Sequence, residues 1–515
     1  MKVYRTLENM DKYKKLEKEV TAKVRRAKRS MEKKLAYSKD GNARKFANYI
    51  KSKTKARTDI GPLKREDGSL ATDSTEMAEM LNGFFATVFT EEDCSRLPDK
   101  SRETDNKLDR IQITQKEIRD KIKNLKEFSA HGPDCISSKL LITAREELLL
   151  PLQIIYNKSL KTGCVPEDWR RAKVTPIYKK GTKASPGNYR PVSLTSIPCK
   201  IMESILKDHI MEHIMSNKLM RESQRGFMKG KSCASNLIVF MNKLTNTVDE
   251  GLPADIFYLD FSKAFDKVPR ERLLLKLRAK GIEGEIYNWI RSWLTGRTQT
   301  VRVGAGESAE TEVKSGVPQG SVLGPPLFDI FIDDIDEYAE LIELLIKFAD
   351  DTKGMQTIRG PEDREKLQKT LDKLMEWATK WGMSFNLDKC KIMHVGNNNP
   401  NYRYTMGGKD LVEVEEEKDI GVIVHKSLRP TRQCQSAARI ASAVLQQLVR
   451  NFHYRDRHVF RKLYIQYVRP HLEFATLHGH RGQPETRKFW NRYRSRQWVW
   501  FPAYKVTHTR RGVKN

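Results

Sequence analysis

The stretch that decides the fold is LLIKFADDTKGMQT at residues 344–357, where two strand-like runs flank the adjacent acids Asp350 and Asp351. An upstream run, ADIFYLDF at residues 254–261, carries the isolated acid Asp260 near its end. Carboxylates at the ends of separate strands can converge on hard divalent cations, which prefer oxygen ligands. Nucleotidyl transfer needs two such ions ~3.5–4 Å apart, because one activates the attacking hydroxyl and the other neutralises the leaving pyrophosphate. We therefore predict a metal site formed by Asp260, Asp350 and Asp351.

The charge of the chain indicates its class of partner. Its 515 residues include 95 Lys and Arg against 66 Asp and Glu, and such an excess favours a polyanion such as nucleic acid. An anionic membrane surface is the competing interpretation. However, no apolar run approaches the ~18–20 residues of a membrane-spanning helix, and the N-terminus lacks a signal-peptide core. We expect no membrane partner and an intracellular protein, nuclear or cytoplasmic and not secreted. Seven singly scattered cysteines predict reduced thiols.

The N-terminal part of the chain is strongly basic. Residues 1–60 carry 20 Lys and Arg against 7 Asp and Glu. Apolar residues recur there every three or four positions, at Leu16, Val20, Val24, Ala27, Met31 and Leu35. This spacing predicts a basic amphipathic helix. Two interpretations stay open: the helix docks on nucleic acid, or it packs its apolar stripe on the rest of the protein.

The rest of the chain predicts a mixed α/β (α+β) protein. Residues 111–396 alternate short strand-like runs with longer helical patterns, which favours an α/β or α+β core. Residues 397–475 contain a hairpin-like segment followed by two helical patterns. Residues 476–515 hold ten Lys and Arg with one acid and no steady periodicity, which is typical of a basic, poorly folded tail. We therefore divide the chain into segments 1–110, 111–396, 397–475 and 476–515.

Three further segments could contact a nucleotide. The loop SGVPQGSVLG at residues 315–324 lets backbone approach a ligand at its glycines, and Gln319 offers both a donor and an acceptor. Cations at 173–190 could grip a triphosphate, and Phe265, five residues after Asp260, could wall a nucleotide pocket. Taken singly, each segment also has an ordinary interpretation: a Gly/Pro turn, solvated lysines and a core aromatic.

These segments, in this order, resemble the reverse transcriptase of LINE-type (non-LTR) retrotransposons, nearest to the jockey and chicken-repeat group. The resemblance covers roughly residues 60–475. It is carried by HGPDCISSKLL, AKVTPIYKKG, NYRPVSLTSIPCKIMESIL, QRGFMKGKSC, YLDFSKAFDKVP, SGVPQGSVLGPPLF, FADDTK, FNLDKCKIMHVG, KDIGVIV and LYIQYVRPHLEFA.

The resemblance implies a right-hand polymerase with fingers, palm and thumb, preceded here by a basic helical N-terminal extension. Fingers and palm would lie in 111–396, a primer grip at 417–424 and a thumb at 430–475. It implies RNA-directed DNA polymerisation on an RNA template from a DNA primer and dNTPs, with two Mg²⁺ ions, or Mn²⁺ in their place. Nothing in the sequence indicates an oligomeric state.

The resemblance also implies a role for single residues. The catalytic metal ligands would be Asp260, Asp350 and Asp351, with the Phe261 carbonyl beside them. Lys389 would protonate the pyrophosphate. The incoming nucleotide would be contacted by Phe265 at its sugar, by Gln319 and Gly320 along one side, and by Arg190 and Lys179 at its triphosphate.

Departures from the family leave a rival interpretation. The endonuclease domain that normally precedes the polymerase is missing from this sequence, and the residues after Ala475 do not follow the family pattern. The rival is a catalytically inactive, nucleic-acid-binding remnant of a retroelement. Separately, His209, Glu212 and His213 have the spacing of a zinc peptidase, but the apolar stripe of their helix favours structural histidines.

Overall fold

The computed structural model describes residues 7–37, 48–50, 52, 60–452, 454 and 456–474. The chain divides into two compact units, one of residues 59–415 and one of residues 1–58 together with 416–515. The predicted tail 476–515 lies outside the described residues. Helices and strands alternate along the larger unit, so the expected mixed α/β fold is confirmed.

The strands of the larger unit are β1 (Leu63–Lys64), β2 (Leu70–Ala71), β3 (Arg171–Tyr178), β4 (Tyr189–Leu194), β5 (Ala254–Leu259), β6 (Arg297–Val303), β7 (Gly306–Glu307), β8 (Thr311–Val313), β9 (Leu344–Phe348), β10 (Asp351–Thr357), β11 (Lys391–Val395), β12 (Thr405–Met406), β13 (Lys409–Asp410) and β14 (Val412–Glu413).

Its helices are α2 (Ser74–Ala86), α3 (Gln115–Lys123), α4 (Ser138–Thr143), α5 (Arg145–Thr162), α6 (Glu167–Arg170), α7 (Ile197–Ser216), α8 (Cys233–Asp249), α9 (Ala264–Lys267), α10 (Arg270–Ala279), α11 (Gly284–Leu294), α12 (Gly324–Phe331) and α13 (Pro361–Trp381). Short 3₁₀ turns lie at Cys94–Arg96, Pro186–Asn188 and Asp333–Tyr338.

The central sheet carries the predicted acids. Its strand order is β14-β11-β5-β10-β9, and every pair is antiparallel except β11 with β14. All six residues of β5 are buried, as expected for a middle strand that is covered on both faces. The predicted strand-turn-strand at 344–357 is confirmed, since β9 and β10 form a hairpin whose last pair is Phe348 with Asp351.

A second sheet has the order β4-β3-β6-β7, with β8 paired to β6. Helix α2 covers this sheet, and Leu81 and Phe85 pack in one apolar cluster with Val174 and Val301. Leu63 and Ala71 of the β1–β2 hairpin join the same cluster. Residues from 60 onward therefore belong to the larger unit rather than to a helical extension reaching residue 110. The functional boundaries predicted at 110, 396 and 475 stay predictions, whereas the compact units divide at 58 and 415.

One buried ion pair joins several helices beneath the central sheet. Lys276, 1% exposed, donates to Asp334 Oδ1 and to the Phe331 carbonyl oxygen, both at 2.6 Å. Its Nζ also lies 3.6 Å from the centroid of the Trp381 ring. Trp377 Nε1 donates to the same carboxylate at 2.8 Å. Helices α10, α12 and α13 and the turn at 333–338 are thus connected through a single paired charge.

The smaller unit begins with helix α1 (Leu7–Tyr37), so the predicted basic helix is confirmed. Much of its apolar stripe, including Leu16 and Val20, is exposed, and this part does not pack on other described residues. Near its end, buried Glu32 accepts hydrogen bonds from Tyr49 Oη (2.9 Å) and from the Tyr454 backbone N–H (2.6 Å).

The described C-terminal part of this unit holds a hairpin and helices. Its elements are β15 (Glu416–Asp419), β16 (Val422–His425), α14 (Thr431–Asn451), α15 (Arg457–Leu463), a π-helical turn (Tyr464–Val468) and α16 (Arg469–Glu473). The predicted hairpin and two helical patterns are therefore confirmed. Among the described helices of the whole chain, none combines the length and apolarity that crossing a bilayer requires.

Candidate active site

The three predicted acids lie at one end of two neighbouring strands. Asp260 follows β5 directly, and Asp350 and Asp351 lie in the turn and at the start of β10. Thr352 pairs with Leu259, so that Asp351 and Asp260 come next on the two antiparallel strands. The fold therefore brings Asp260 close to Asp350, which is 90 residues later in the sequence, as their positions at the ends of strand-like runs predicted.

The pKa of Asp350 shows that the charges of these acids interact. Burial raises the pKa of the Asp350 carboxyl, and the negative charge of Asp260 raises it further. The positive charges of Arg190 and Lys179 act in the opposite direction. Two carboxylates that repel one another are a donor set that a shared divalent cation would stabilise.

Asp351 completes this set less clearly than the other two acids. Its side chain is exposed at the start of β10. Within the described residues, no group of three or more His, Cys, Asp or Glu side chains is arranged to hold a metal ion. The chemistry of the donors fits a divalent cation, and the role of each acid as a ligand stays a prediction.

The lysine beside Asp260 is Lys389, whose Nζ donates to Asp260 Oδ2 at 2.7 Å. The segment around it is fixed to the end of β5, because the Asn386 N–H donates to the Asp260 carbonyl at 2.7 Å. The rings of Phe261 and Phe385 stack with centroids 4.5 Å apart. The sequence motif FNLDKC is thus held against the end of β5, with the Lys389 ammonium directed at the predicted metal ligand Asp260.

Two predicted triphosphate-binding cations lie on the β3–β4 hairpin. Arg190 pairs with Ile177, and the Lys179 N–H donates to the Asn188 carbonyl, so the two residues lie two rungs apart on the hairpin, with the Tyr178–Tyr189 pair between them. Burial lowers the pKa of Lys179, and the charges of Arg190 and Lys389 lower it further. The three cations therefore share one electrostatic environment with Asp260 and Asp350.

The glycine-rich loop approaches β4 closely. The Ser193 N–H donates to the Gln319 carbonyl at 2.8 Å. Gly320 has a φ of +113°, and a Cβ added there would lie 2.5 Å from the Ser193 carbonyl oxygen. A glycine is required at this position both by the backbone conformation and by the space available.

Gln319 and Phe265 line the other side of the site. Gln319 Nε2 donates to Asp266 Oδ1 at 2.9 Å, which fixes the orientation of its amide. The ring of Phe265 stacks on Phe328 with centroids 4.6 Å apart. A pocket borders this region and is lined by Gln319, Asp266 and Lys263 together with apolar side chains such as Phe85.

Sequence reasoning missed two acids near the site. Asp266 lies inside α9 and accepts a hydrogen bond from Gln319. Asp329 on α12 is buried, and neither of its oxygens has a hydrogen-bond partner among the described residues. Burial raises the pKa of Asp329 well above its usual range, and the charges of Asp333 and Asp350 add to this. No local pattern in the sequence identifies either role.

The zinc-peptidase spacing on α7 has a structural explanation. His209 Nε2 lies 2.8 Å from Glu117 Oε1, and His213 Nε2 lies 2.8 Å from the Lys280 carbonyl oxygen. Each imidazole thus connects α7 to a neighbouring helix or its end. The preferred interpretation as structural histidines is confirmed.

Comparisons with known proteins agree with this geometry. Residues 177–424 match the family model described as reverse transcriptase (RNA-dependent DNA polymerase), a range that includes every predicted site residue. The chain is 29% identical over 338 residues to the RNA-directed DNA polymerase from mobile element jockey of Drosophila funebris. It is 27% identical over 329 residues to that of Drosophila melanogaster.

A third relative is the retrovirus-related Pol polyprotein from type-2 retrotransposable element R2DM of Drosophila melanogaster, 27% identical over 323 residues. The three alignments cover 63%, 62% and 61% of this chain, but 36%, 36% and 29% of the relatives. The chain therefore spans about a third of the length of the curated relatives it matches.

Proposed function

We propose that this chain is an RNA-directed DNA polymerase of a LINE-type mobile element, because residues 177–424 match the reverse transcriptase family model. It extends the 3′-hydroxyl of a DNA primer on an RNA template, with dNTPs as substrates. The single observation that carries this proposal is that Asp260 and Asp350 lie at the same end of the neighbouring strands β5 and β10, with the Lys389 ammonium bound to Asp260.

The cofactor we propose is a pair of Mg²⁺ ions, replaceable by Mn²⁺, held by Asp260, Asp350 and Asp351. When bound, such ions supply charge neutralisation at the attacking hydroxyl and at the leaving pyrophosphate. The carboxylate oxygens fit this role, since Mg²⁺ selects oxygen ligands. In the protein without ions, the Lys389 ammonium balances part of this negative charge.

The remaining residues bind and orient the nucleotide. Arg190 and Lys179 hold the triphosphate by charge-assisted hydrogen bonds, because the two cations lie only two rungs apart on one hairpin. Lys389 donates its proton to the pyrophosphate as it leaves. Gln319, oriented by Asp266, and Gly320 contact the nucleotide from the loop side, while Phe265 discriminates against the ribose 2′-hydroxyl.

We assign the parts of a right-hand polymerase to the elements as follows. The central sheet with its helices is the palm, and the second sheet with α2 is the fingers. Residues 417–424 form the primer grip, and residues 430–475 form the thumb. The basic helix α1 is the core of an N-terminal extension that contacts nucleic acid.

The proposal is tested by primer extension with the Asp350→Asn variant. Removing one charge from the acid pair should reduce RNA-templated extension by about 10²–10³-fold, since a preorganised electrostatic contact can contribute about 3–4 kcal/mol to the transition state. Template–primer binding, measured by fluorescence anisotropy, should change little. The matched control is Asp372→Asn, which removes a carboxylate from the exposed face of α13.

Equal activity of the Asp350→Asn and unsubstituted proteins would end the catalytic assignment. If the unsubstituted chain bound template–primer but extended nothing, the inactive nucleic-acid-binding remnant would be the better description.

A further inference from the structure

The turn that carries Asp350 has an unfavourable backbone conformation. Phe348 pairs with Asp351, so Ala349 and Asp350 are the two central residues of a tight hairpin loop. Ala349 has a φ of +54°, and it is buried. Glycine is preferred at such a position because a Cβ is strained in left-handed backbone. Some other contact must therefore stabilise Ala349 in the conformation that directs the Asp350 side chain.

That contact comes from a residue 125 positions earlier in the chain. Gln224 is fully buried, and its Oε1 accepts a hydrogen bond from the Ala349 N–H at 3.2 Å. The same oxygen accepts from the backbone N–H groups of Arg225 at 2.9 Å and Gly226 at 2.8 Å. One side-chain carbonyl thus links the segment 224–226 to the strained residue of the turn.

The surrounding backbone fixes the position of Gln224. The Lys347 N–H donates to the Ser223 carbonyl at 2.9 Å, and the Arg225 N–H donates to the Lys347 carbonyl at 3.0 Å. Asn236 Nδ2 also donates to the Lys347 carbonyl, at 3.2 Å. The segment is therefore joined to β9 by a single parallel bridge, between Gln224 and Lys347, two residues before Ala349.

The approach of this segment to the turn is unusually close. A Cβ added to Gly226 would lie 2.3 Å from the Ala349 nitrogen and 3.0 Å from the Phe348 carbonyl carbon. Only glycine leaves room for the backbone here. Gly226 is thus required for the distance at which Gln224 reaches Ala349.

We propose that Gln224 is a positioning residue for the Asp350 carboxylate, acting through the Ala349 N–H. By accepting this hydrogen bond it holds Ala349 in left-handed backbone and so fixes where Asp350 points. The inference rests on the proposed function, because it gives Asp350 the role of a metal ligand. Gln224 itself touches neither the metal nor a substrate.

The primary test uses Gln224→Leu in the full chain, which removes the acceptor while keeping a buried side chain of similar length. The first readout is Mn²⁺ affinity, measured by electron paramagnetic resonance, with Asp350→Asn defining the part of the binding that depends on this site. We expect site-specific affinity to fall by about tenfold, the equivalent of one buried hydrogen bond. The second readout is the Mg²⁺ concentration for half-maximal primer extension, which should rise with template–primer affinity unchanged.

A second substitution separates positioning from general support. Glycine adopts the left-handed conformation without strain, so Ala349→Gly should restore Mn²⁺ affinity in the Gln224→Leu background to within about threefold of the unsubstituted protein. If Gln224→Leu folds poorly, Gln224→Asn serves in its place, since its shorter amide withdraws the acceptor while staying polar.

The matched control is Gln356→Leu. Gln356 is also buried and bonded through its amide, but it lies at the opposite end of β10, where its Nε2 donates to Asp363. The Gln356→Leu substitution should lower thermal stability without changing Mn²⁺ affinity.

Unchanged Mn²⁺ affinity in the Gln224 variants, or a loss that Ala349→Gly does not reduce, would overturn the inference. If the unsubstituted chain bound Mn²⁺ through Asp350 but extended no primer, the polymerase proposal would fail while the positioning role could still be read from Mn²⁺ binding.

Discussion

At the scale of single residues, Asp266 gives the site a testable pH dependence. Burial raises its pKa from the ordinary value of 3.8 to about 6, although Gln319 donates a hydrogen bond to its carboxylate. The folded protein therefore binds this proton more tightly than the unfolded chain does. The resulting stability is fully present below pH 3.8 and is lost as the pH rises through about 6.

We expect Asp266→Asn to remove this loss, because the amide imitates the protonated acid and still accepts from Gln319. The free energy of unfolding of the variant minus that of the unsubstituted protein should be about 2 kcal/mol larger at pH 7.5 than at pH 4.5. Urea unfolding followed by intrinsic fluorescence at both pH values measures this gain. Asp372→Asn, an exposed substitution, should show no such trend, and a constant difference for Asp266→Asn would refute the prediction.

The sequence predicted the acids better than the residues that support them. Asp260 and Asp350 were found because each ends a strand-like run, which is a local pattern. Gln224 reaches Ala349 across 125 positions and Gln319 reaches Asp266 across 53, and no periodicity encodes either contact. Such roles follow from tertiary approach, which sequence spacing alone does not reveal.

At the scale of secondary structure elements, the ion pair between Lys276 and Asp334 connects α10 to the 3₁₀ turn at Asp333–Tyr338, and Trp377 of α13 donates to the same carboxylate. Substituting Lys276→Met should leave the Asp334 carboxylate buried without its main counter-ion, at a cost of about 3–5 kcal/mol in the free energy of unfolding. Adding Asp334→Asn should recover part of this loss, because it removes a buried charge whose remaining counter-ion is Lys100, 3.3 Å from Asp334 Oδ2. Chemical denaturation of both variants measures the two differences.

An exposed pair provides the control. Lys409 and Asp388 form an ion pair on the surface, and Lys409→Met should cost no more than about 1 kcal/mol. If Lys276→Met cost as little as this control, the buried pair would not be what holds these helices together.

Regular elements followed from the sequence where apolar spacing was steady, as in α1, α13 and the β9–β10 hairpin. The extent of the N-terminal extension did not follow from the sequence. Residues 60–86 join the second sheet because Leu63 and Phe85 pack against Val174 and Val301, which lie more than 85 residues away. The short strands β1 and β2, of two residues each, offer too little pattern to reveal this packing.

At the scale of the whole molecule, the formal net charge of +29 should dominate the affinity for RNA. Neutralising phosphates releases counter-ions, so the affinity for a single-stranded RNA falls linearly with salt on logarithmic axes, by roughly 0.7 per phosphate contact. Helix α1 carries 11 Lys and Arg against 5 Asp and Glu, and its basic residues Lys14, Lys18 and Arg25 are exposed. The helix thus offers a way to test whether it contacts nucleic acid or another surface.

We expect the triple substitution of Lys14, Lys18 and Arg25 to Gln to weaken RNA binding and to reduce the magnitude of the salt slope by about 2, if each cation contacts one phosphate. Fluorescence anisotropy of a labelled single-stranded RNA across a KCl titration measures both. The control replaces the exposed apolar residues Leu16 and Val20 with Gln on the same helix, which changes no charge and should leave the slope unaltered. Loss of binding in this control, with an unchanged slope in the triple variant, would show that α1 acts through its apolar stripe and that the RNA-contacting charges lie elsewhere.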